Sequence, residues 1–324
     1  MRKFSIFGAL AQLVEQWPFK PFVTGSNPVR PIIFFCVLFL LSFFPQLSVS
    51  DNHLINIKSH NGLTLNANLN SNPQSDTIFI LVHGTRGYKD MEIIKSLSQR
   101  ILDYGHSSLS INLSYDIDDR TSEFLSCDRV HTHNEHTSIN EIVSWYKYLE
   151  NQDYKNIYFI GHSRGAFNVV QAMALINNNN IKAYLLAPVI DTYLGTKNYY
   201  NQEHNLPYET LINNKDEFII SDRYPSINFL FCEDAKVSSS TFRSYLNLSK
   251  NQTLYPFTFS IIDLLKDTNS SVTIFSGTDD EILLDSYKKL NQINQSNISH
   301  ILIDEADHFF RDIYLDDVVD IIFD

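Results

Sequence analysis

Apolar and polar positions along the chain recur with two different periods, and the switches between them set out its elements. Leu54-Ile55-Asn56-Ile57-Lys58 and Leu63-Thr64-Leu65-Asn66-Ala67 alternate on either side of Asn61-Gly62, which reads as two strands joined by a tight turn. The apolar run from Thr77 to Val82 stops at His83-Gly84, and a helical period follows from about Asp90 to Tyr104, with Gly105 as a C-terminal cap. The unit then repeats: strand 108–113 with a helix over about 138–150, strand 156–160 with a helix over about 164–175, and strand 181–186 directly after. Strand 271–275, a helix over 281–292, strand 300–303 and a last helix from about Phe310 complete the series. Strands apolar on both faces, alternating with helices, specify a parallel sheet covered by helices on either side.

Two stretches do not follow this rhythm. Between strands 181–186 and 271–275 lies a long insertion, expected over about 190–270 and rich in aromatics (Tyr193, Tyr199, Tyr200, Tyr208, Tyr224, Phe229, Phe231, Tyr245, Tyr255, Phe257, Phe259). Periodicity assigns it no elements, and an insertion of that length is usually functional. The other is the N-terminus. Ile32 to Phe44 is an uninterrupted apolar run apart from Ser42, preceded by Arg30 and followed by Pro45 and Ser48-Val49-Ser50. It is too short for a comfortable membrane span and reads as a signal peptide over residues 32–50, cleaved before Asp51; an uncleaved N-terminal anchor is the competing reading. Gly8 to Pro31 resembles a translated lysine transfer-RNA gene, since Trp17 to Pro21 can be coded by a hairpin whose loop holds a lysine anticodon, and Thr24 to Val29 by a second hairpin. Residues 1–31 are therefore expected to be a misassigned N-terminal extension, the real start being a non-ATG codon near Val29 to Ile33. The folded domain is expected over 51–324.

Composition narrows the classes. With 44% hydrophobic residues, the 324-residue chain can bury a large core and is far from a disordered profile. Its net charge of −12 argues against a nucleic-acid partner, which needs a basic face. Residues 1–50 hold Arg2, Lys3, Lys20 and Arg30 against Glu15, a net of +3, so the body carries −15. Cys36, Cys127 and Cys232 are the only cysteines, so the body can form at most one bridge, Cys127 to Cys232, which the oxidising conditions met by an exported chain favour.

The chemistry centres on Gly161-His162-Ser163-Arg164-Gly165, a G-x-S-x-G pattern between an expected strand and an expected helix. A serine on such a sharp turn projects its hydroxyl above the sheet edge, small residues two positions away let the backbone turn, and the helix start offers N–H groups to an oxyanion. A serine hydroxyl needs a base and an orienting acid. Asp280 follows strand 271–275 within Gly277-Thr278-Asp279-Asp280-Glu281, and His308 follows strand 300–303 within Glu305-Ala306-Asp307-His308-Phe309. Both lie just past the carboxyl ends of parallel strands, where such sheets bind ligands. Asp307 reads as a loop or capping residue, and Arg311 with Asp312 as an ion pair anchoring the histidine loop. Cys127, Asp128, His131, His133 and His136 share the loop after strand 108–113. Their spacing admits zinc, but convergent geometry is not visible in a sequence, and no metal is assigned.

Four motifs in order, the His83-Gly84 turn, the Ser163 elbow, the Asp280 loop and the His308 loop, make residues 51–324 resemble the α/β-hydrolase superfamily. The resemblance implies an α/β fold with a mostly parallel central sheet of about eight strands, helices on both faces, and a cap in place of the 190–270 insertion. It implies that Ser163 attacks a carbonyl, that His308 takes and returns the proton, and that Asp280 holds the imidazole tautomer. Asp279 competes for that last role, although members commonly read G-x-x-D with an apolar residue shortly after, which fits Gly277, Asp280 and Ile282. Backbone N–H groups of Arg164 and Thr85 would form the oxyanion hole. The expected protein is an exported serine hydrolase acting on a small-molecule, apolar acyl substrate (an ester, thioester or amide), without cofactor or nucleic acid, and without stable membrane association unless the signal segment stays uncleaved. An acyltransferase on the same scaffold and a catalytically silent binding protein are the alternatives.

Overall fold

The computed structural model describes residues 51–190, 214, 216–224, 227–246 and 260–324. The expected extension and signal peptide, and most of the expected cap with Tyr193, Tyr199, Tyr200, Tyr208, Tyr255, Phe257 and Phe259, lie outside the described residues. Among the described residues no helix is long and apolar enough to cross a membrane.

Eight strands form one sheet among these residues: β1 Asp51–Lys58, β2 Thr64–Ser71, β3 Thr77–Val82, β4 Ser107–Ile111, β5 Asn156–His162, β6 Lys182–Leu186, β7 Ser271–Gly277 and β8 Ile298–Ile303. Their spatial order is β1-β2-β4-β3-β5-β6-β7-β8. β1, β2 and β4 pair antiparallel, whereas every pair from β4 through β3 to β8 is parallel. The α-helices among the described residues are α1 Glu92–Asp103, α2 Glu135–Glu150, α3 Arg164–Ile176, α4 Ser239–Leu246, α5 Ile261–Asp267 and α6 Ile313–Phe323.

The unbroken apolar run of β3 follows from its place in the middle of the sheet, where all six residues are buried. Ile78, Ile80 and Val82 point into one core with Ile139, Ile142 and Trp145 of α2 and Phe167, Val170 and Met173 of α3. Phe79 and Leu81 point into the other with Ile94, Leu97 and Ile101 of α1 and Val318, Val319 and Ile322 of α6. The two faces of the sheet are thus covered by α2, α3 and α5 on one side and by α1 and α6 on the other.

Three elements differ from the periodicity. No α-helix spans 281–292; a turn at 281–283 leads into a 3₁₀ helix, Leu284–Gln292, because the Asp280 carboxylate takes the N–H groups of Ile282 and Leu283 and Leu284 adopts a positive φ of 49°. α6 starts at Ile313 rather than Phe310, since Phe310 (φ 48°) and Asp312 (φ 56°) are left-handed. α2 starts earlier than expected, capped by the Asn134 side chain, which accepts from His136 N at 2.9 Å.

Within the expected insertion, a small core of Ile220, Ile227, Phe229, Cys232, Val237, Phe242 and Tyr245 forms around α4. It is fastened to the loop ahead of α2 by the Cys127–Cys232 disulfide and by backbone bonds between His131 and the chain at Lys236 and Ser238. α5 belongs to the main core instead, through Ile261, Ile262 and Leu265.

Candidate active site

Ser163 links β5 to α3 with φ 56° and ψ −121°, a conformation that costs a non-glycine residue about 1–3 kcal/mol. Its neighbours make the turn feasible. A Cβ at Gly161 would stand 2.6 Å from Ala166 Cα, and one at Gly165 would stand 2.9 Å from the His83 carbonyl carbon and closer still to its oxygen. Only glycine at both positions lets α3 start this close to β5 and to the end of β3. Ser163 N donates to Leu186 O (2.8 Å), and Ser163 O accepts from Ala166 N (3.1 Å).

The loops after β7 and β8 meet beside this turn. Thr278 N donates to Ile303 O and Asp279 N to Ala306 O, each at 3.1 Å. The pairing brings His308 Nδ1 to 2.8 Å from Asp280 Oδ2, with both side chains almost fully buried. The imidazole is reached by Asp280, not Asp279. The second Asp280 oxygen accepts from Ile282 N (2.9 Å) and Leu283 N (2.7 Å). Burial pushes the Asp280 carboxyl up, but the His308 hydrogen bond and charge and these two N–H groups outweigh it, so the carboxyl lies below its ordinary value.

His162 joins the histidine loop to the serine turn. Its Nε2–H donates to His308 O at 2.9 Å, and the two rings lie 5.0 Å apart. Burial and the His308 charge push its ring down to about 3, so it is neutral. No hydrogen bond connects Ser163 Oγ to the His308 ring in this arrangement. Apo sites of this kind are often loose and tighten only around substrate.

The 84–85 turn runs alongside the serine: a Cβ at Gly84 would stand 3.1 Å from Ser163 Cβ. Neither Thr85 N–H nor Arg164 N–H is taken by another described residue. His83 fixes this turn, donating from Nδ1 to Gly84 O (3.0 Å) and accepting from Leu113 N at Nε2 (3.1 Å). Burial, with the Arg120 charge, holds that imidazole down at about 3. Arg120, itself buried, donates to Leu113 O (3.0 Å) and Gly87 O (2.8 Å). Sequence reasoning passed over Arg120, His162 as a tie, and Glu135, a fully buried carboxylate 3.3 Å from Arg164. The local sequence around Arg120 and Glu135 carries no sign of burial.

The remaining candidates fall into other roles. His131 and His133 lie ahead of α2, while His136 is in its first turn rather than in the loop. His133 Nε2 pairs with Tyr245 Oη (2.9 Å), and His131 packs edge-on against His133 and Phe229. Among the described residues no group of three or more His, Cys, Asp or Glu side chains is arranged to hold a metal. Arg311 forms its ion pair with Asp307, not with Asp312, and Asp307 also accepts from Phe309 N (3.0 Å), so the loop is closed by Asp307.

No family model matches the chain, and no curated protein matches it in sequence. Solved structures do match in shape. The esterase Est1E of Butyrivibrio proteoclasticus is 17% identical with a TM-score of 0.57, over 83% of this chain and 97% of that one. An esterase of Pyrococcus furiosus is 13% identical (TM-score 0.55) over 87% and 92% of the two chains. The α/β hydrolase GrgF of a Penicillium species is 14% identical (TM-score 0.57) over 84% and 97%. Taken with the strand order and the strained turn after β5, these likenesses identify the architecture: the chain has the α/β-hydrolase fold.

Proposed function

We propose that the protein is a serine hydrolase that cleaves a carboxylic ester, thioester or amide through an acyl-enzyme on Ser163. The observation that carries this reading is the buried 2.8 Å hydrogen bond between His308 Nδ1 and Asp280 Oδ2, at the same end of the sheet as the strained Ser163. With Nδ1–H donating to Asp280, Nε2 is left as the acceptor for the serine proton. Ser163 Oγ attacks the acyl carbon, His308 takes its proton and then gives it to the leaving alcohol, thiol or amine. Water, deprotonated by the same ring, releases the acid. Asp280 stays ionised throughout and stabilises the imidazolium. The N–H groups of Arg164 and Thr85, taken by no other described residue, are the donors to the oxyanion, each contributing about 2.7–4 kcal/mol in such sites.

The aromatic content of the 190–270 region favours an apolar acyl group, and we assign that region as a cap. We also propose that the protein is exported after loss of residues 32–50 and that residues 1–31 are not translated. The Cys127–Cys232 disulfide supports the export reading, because such bonds persist in oxidising compartments.

The test is hydrolysis of p-nitrophenyl esters from acetate to decanoate by the chain beginning at Asp51. A ferulate ester joins the panel because Est1E has been solved with ferulic acid bound. Turnover that disappears in Ser163→Ala supports the proposal, and its chain-length profile sizes the acyl site. Turnover that survives in Ser163→Ala, or its absence on every substrate together with no labelling of Ser163 by a fluorophosphonate, refutes it. N-terminal sequencing of the natural protein tests the export reading: a first residue at or near Asp51 is expected, and an intact 1–31 segment overturns it.

A further inference from the structure

The side chain that follows the serine is turned into the protein. Arg164 Nη1 lies 3.3 Å from Glu135 Oε1, with the glutamate fully buried and the arginine side chain 16% exposed. The guanidinium also lies over the Tyr245 ring, 5.0 Å from its centroid. Both partners are themselves held. Glu135 N donates to Ser244 Oγ (3.0 Å), and Tyr245 Oη pairs with His133 (2.9 Å). Ser244 and Tyr245 belong to α4, in the segment that Cys127–Cys232 fastens to the loop ahead of α2.

A buried ion pair is an expensive way to fill the space between two helices. Apolar side chains of similar volume usually pack such a gap at equal or greater stability, so packing alone does not account for the pair. Its position does. Arg164 is the first residue of α3, and its N–H is taken by no other described residue; the peptide that carries it is held from the serine side, where Ser163 O accepts from Ala166 N (3.1 Å), Phe167 N (3.3 Å) and Val189 N (3.3 Å). The peptide leading into it starts from a strained serine, which has every reason to relax. The guanidinium, clamped between Glu135 and Tyr245, holds the same residue from its side chain. Burial pushes the Glu135 carboxyl up and the Arg164 charge opposes that push, as expected of a pair held together inside the protein.

We infer that Glu135 is a positioning residue: acting through the Arg164 guanidinium, and with Tyr245 stacked on it, Glu135 holds the Arg164 N–H in line for the oxyanion. This rests on the serine-hydrolase reading. It adds that the segment carrying Tyr245 is coupled to the reacting atoms through one side chain, without touching the substrate itself.

The test compares the wild-type chain with Glu135→Gln and with the double variant Glu135→Met/Arg164→Met. Glu135→Gln strands a buried arginine and is the variant that can fail to fold. The double variant replaces the pair by apolar chains of similar length and is expected to melt at or above the wild-type temperature. Its kcat on a p-nitrophenyl ester should fall about 10- to 100-fold with KM changed less than about twofold, the mark of a group that acts only in the transition state. The rate penalty for replacing the ester carbonyl by a thionoester should shrink as well, because a displaced donor no longer distinguishes oxygen from sulfur. A stable double variant with wild-type kcat, or a loss that merely tracks the unfolded fraction, overturns the inference and leaves the hydrolase reading intact. Absence of turnover in the wild type, together with no labelling of Ser163 by a fluorophosphonate, removes both, and is read before any variant is made.

Discussion

Gly277 ends β7, and its missing side chain lets the loop that carries Asp280 lie against the loop that carries His308. A Cβ there would stand 2.8 Å from the Ala306 carbonyl carbon, 3.0 Å from Asp307 O and closer still to Ala306 O, where ordinary contact begins at 3.4 Å. These atoms are all backbone, so no rotamer change relieves the overlap. Gly277→Ala must therefore part the loops by roughly 1 Å, at a cost of about 1–3 kcal/mol, or about 2–10 °C in Tm for a chain of this size. A displacement of that size at a catalytic group costs about 100-fold in rate. The expected variant folds, melts somewhat lower, and turns over a p-nitrophenyl ester about two orders of magnitude more slowly. Gly62→Ala is the control. It is strained by its φ of +87° but meets nothing within 4 Å, in a turn between β1 and β2. It should lose about 1–2 kcal/mol and keep its kcat. Wild-type kcat in Gly277→Ala would refute the claim that loop spacing sets the geometry. An equal loss of kcat in Gly62→Ala would assign the effect to general destabilisation.

Asp280→Asn should keep its fold, since the amide oxygen can still accept from Ile282 and Leu283, yet lose about 10⁴-fold in kcat because the imidazole is held in the wrong tautomer. Asp279→Asn, measured in the same assay, should stay within a few-fold of wild type. Stability should fall as pH drops from about 6.5 toward about 3, the window set by His83, His133 and His162, whose rings burial holds down to about 3. In that window the unfolded chain binds the protons and the folded one does not, so each ring removes about 2 kcal/mol by pH 5. Glu141, raised to about 7 by burial, and Glu135, also raised, oppose this because the folded state takes up their protons first, but His131 and His136, held down to about 4, add to the three rings. Urea unfolding at pH 8, 6 and 5 reads the balance, and a midpoint unchanged between pH 8 and 5 would contradict it. Reducing Cys127–Cys232, which spans 105 residues of sequence, should lower stability by about 2–5 kcal/mol. Melting curves with and without reductant that superimpose would show that the bond stabilises nothing.

The sheet was legible because its strands are buried on both faces and its helices on one, and each geometry writes its own period into the chain. Ser163, Asp280 and His308 were legible for a different reason. Each stands at the end of a strand, so its local sequence already contains the turn that aims it. The pattern failed where a distant partner decides the outcome. The 281–292 segment has helical periodicity, but the carboxylate facing His308 captures its first N–H groups and a 3₁₀ helix follows. The histidines at 131, 133 and 136 have a metal-like spacing, yet Phe229 and Tyr245, about a hundred residues away, make the first two part of a packed cluster. Glu135 and Arg164 look like ordinary helix-surface charges in the sequence. Only the closeness of α2 to α3 and the segment laid over both turn them inward.

The polar groups buried around the site share one physical origin. Loops that carry reacting groups lack the ladder partners of strands and helices, and once they are covered, water cannot serve their backbone either. Side chains have to do it. Leu113 N is satisfied by His83 and Leu113 O by Arg120, His308 O by His162, and Ser114 N by Glu141, whose Oε2 lies at 2.8 Å. A neutral imidazole suits this work because it offers one donor and one acceptor on a rigid ring, as His83 does between Gly84 O and Leu113 N. The same choice sets a limit. Protonating His83 would turn its acceptor nitrogen into a donor facing the Leu113 N–H, so the hydrogen bonds that order the site are also the ones acid breaks. Activity should therefore be lost at a pH where the disulfide and both apolar cores are still intact, with the loops after β3 and β4 opening first, and should be regained on return to neutral pH.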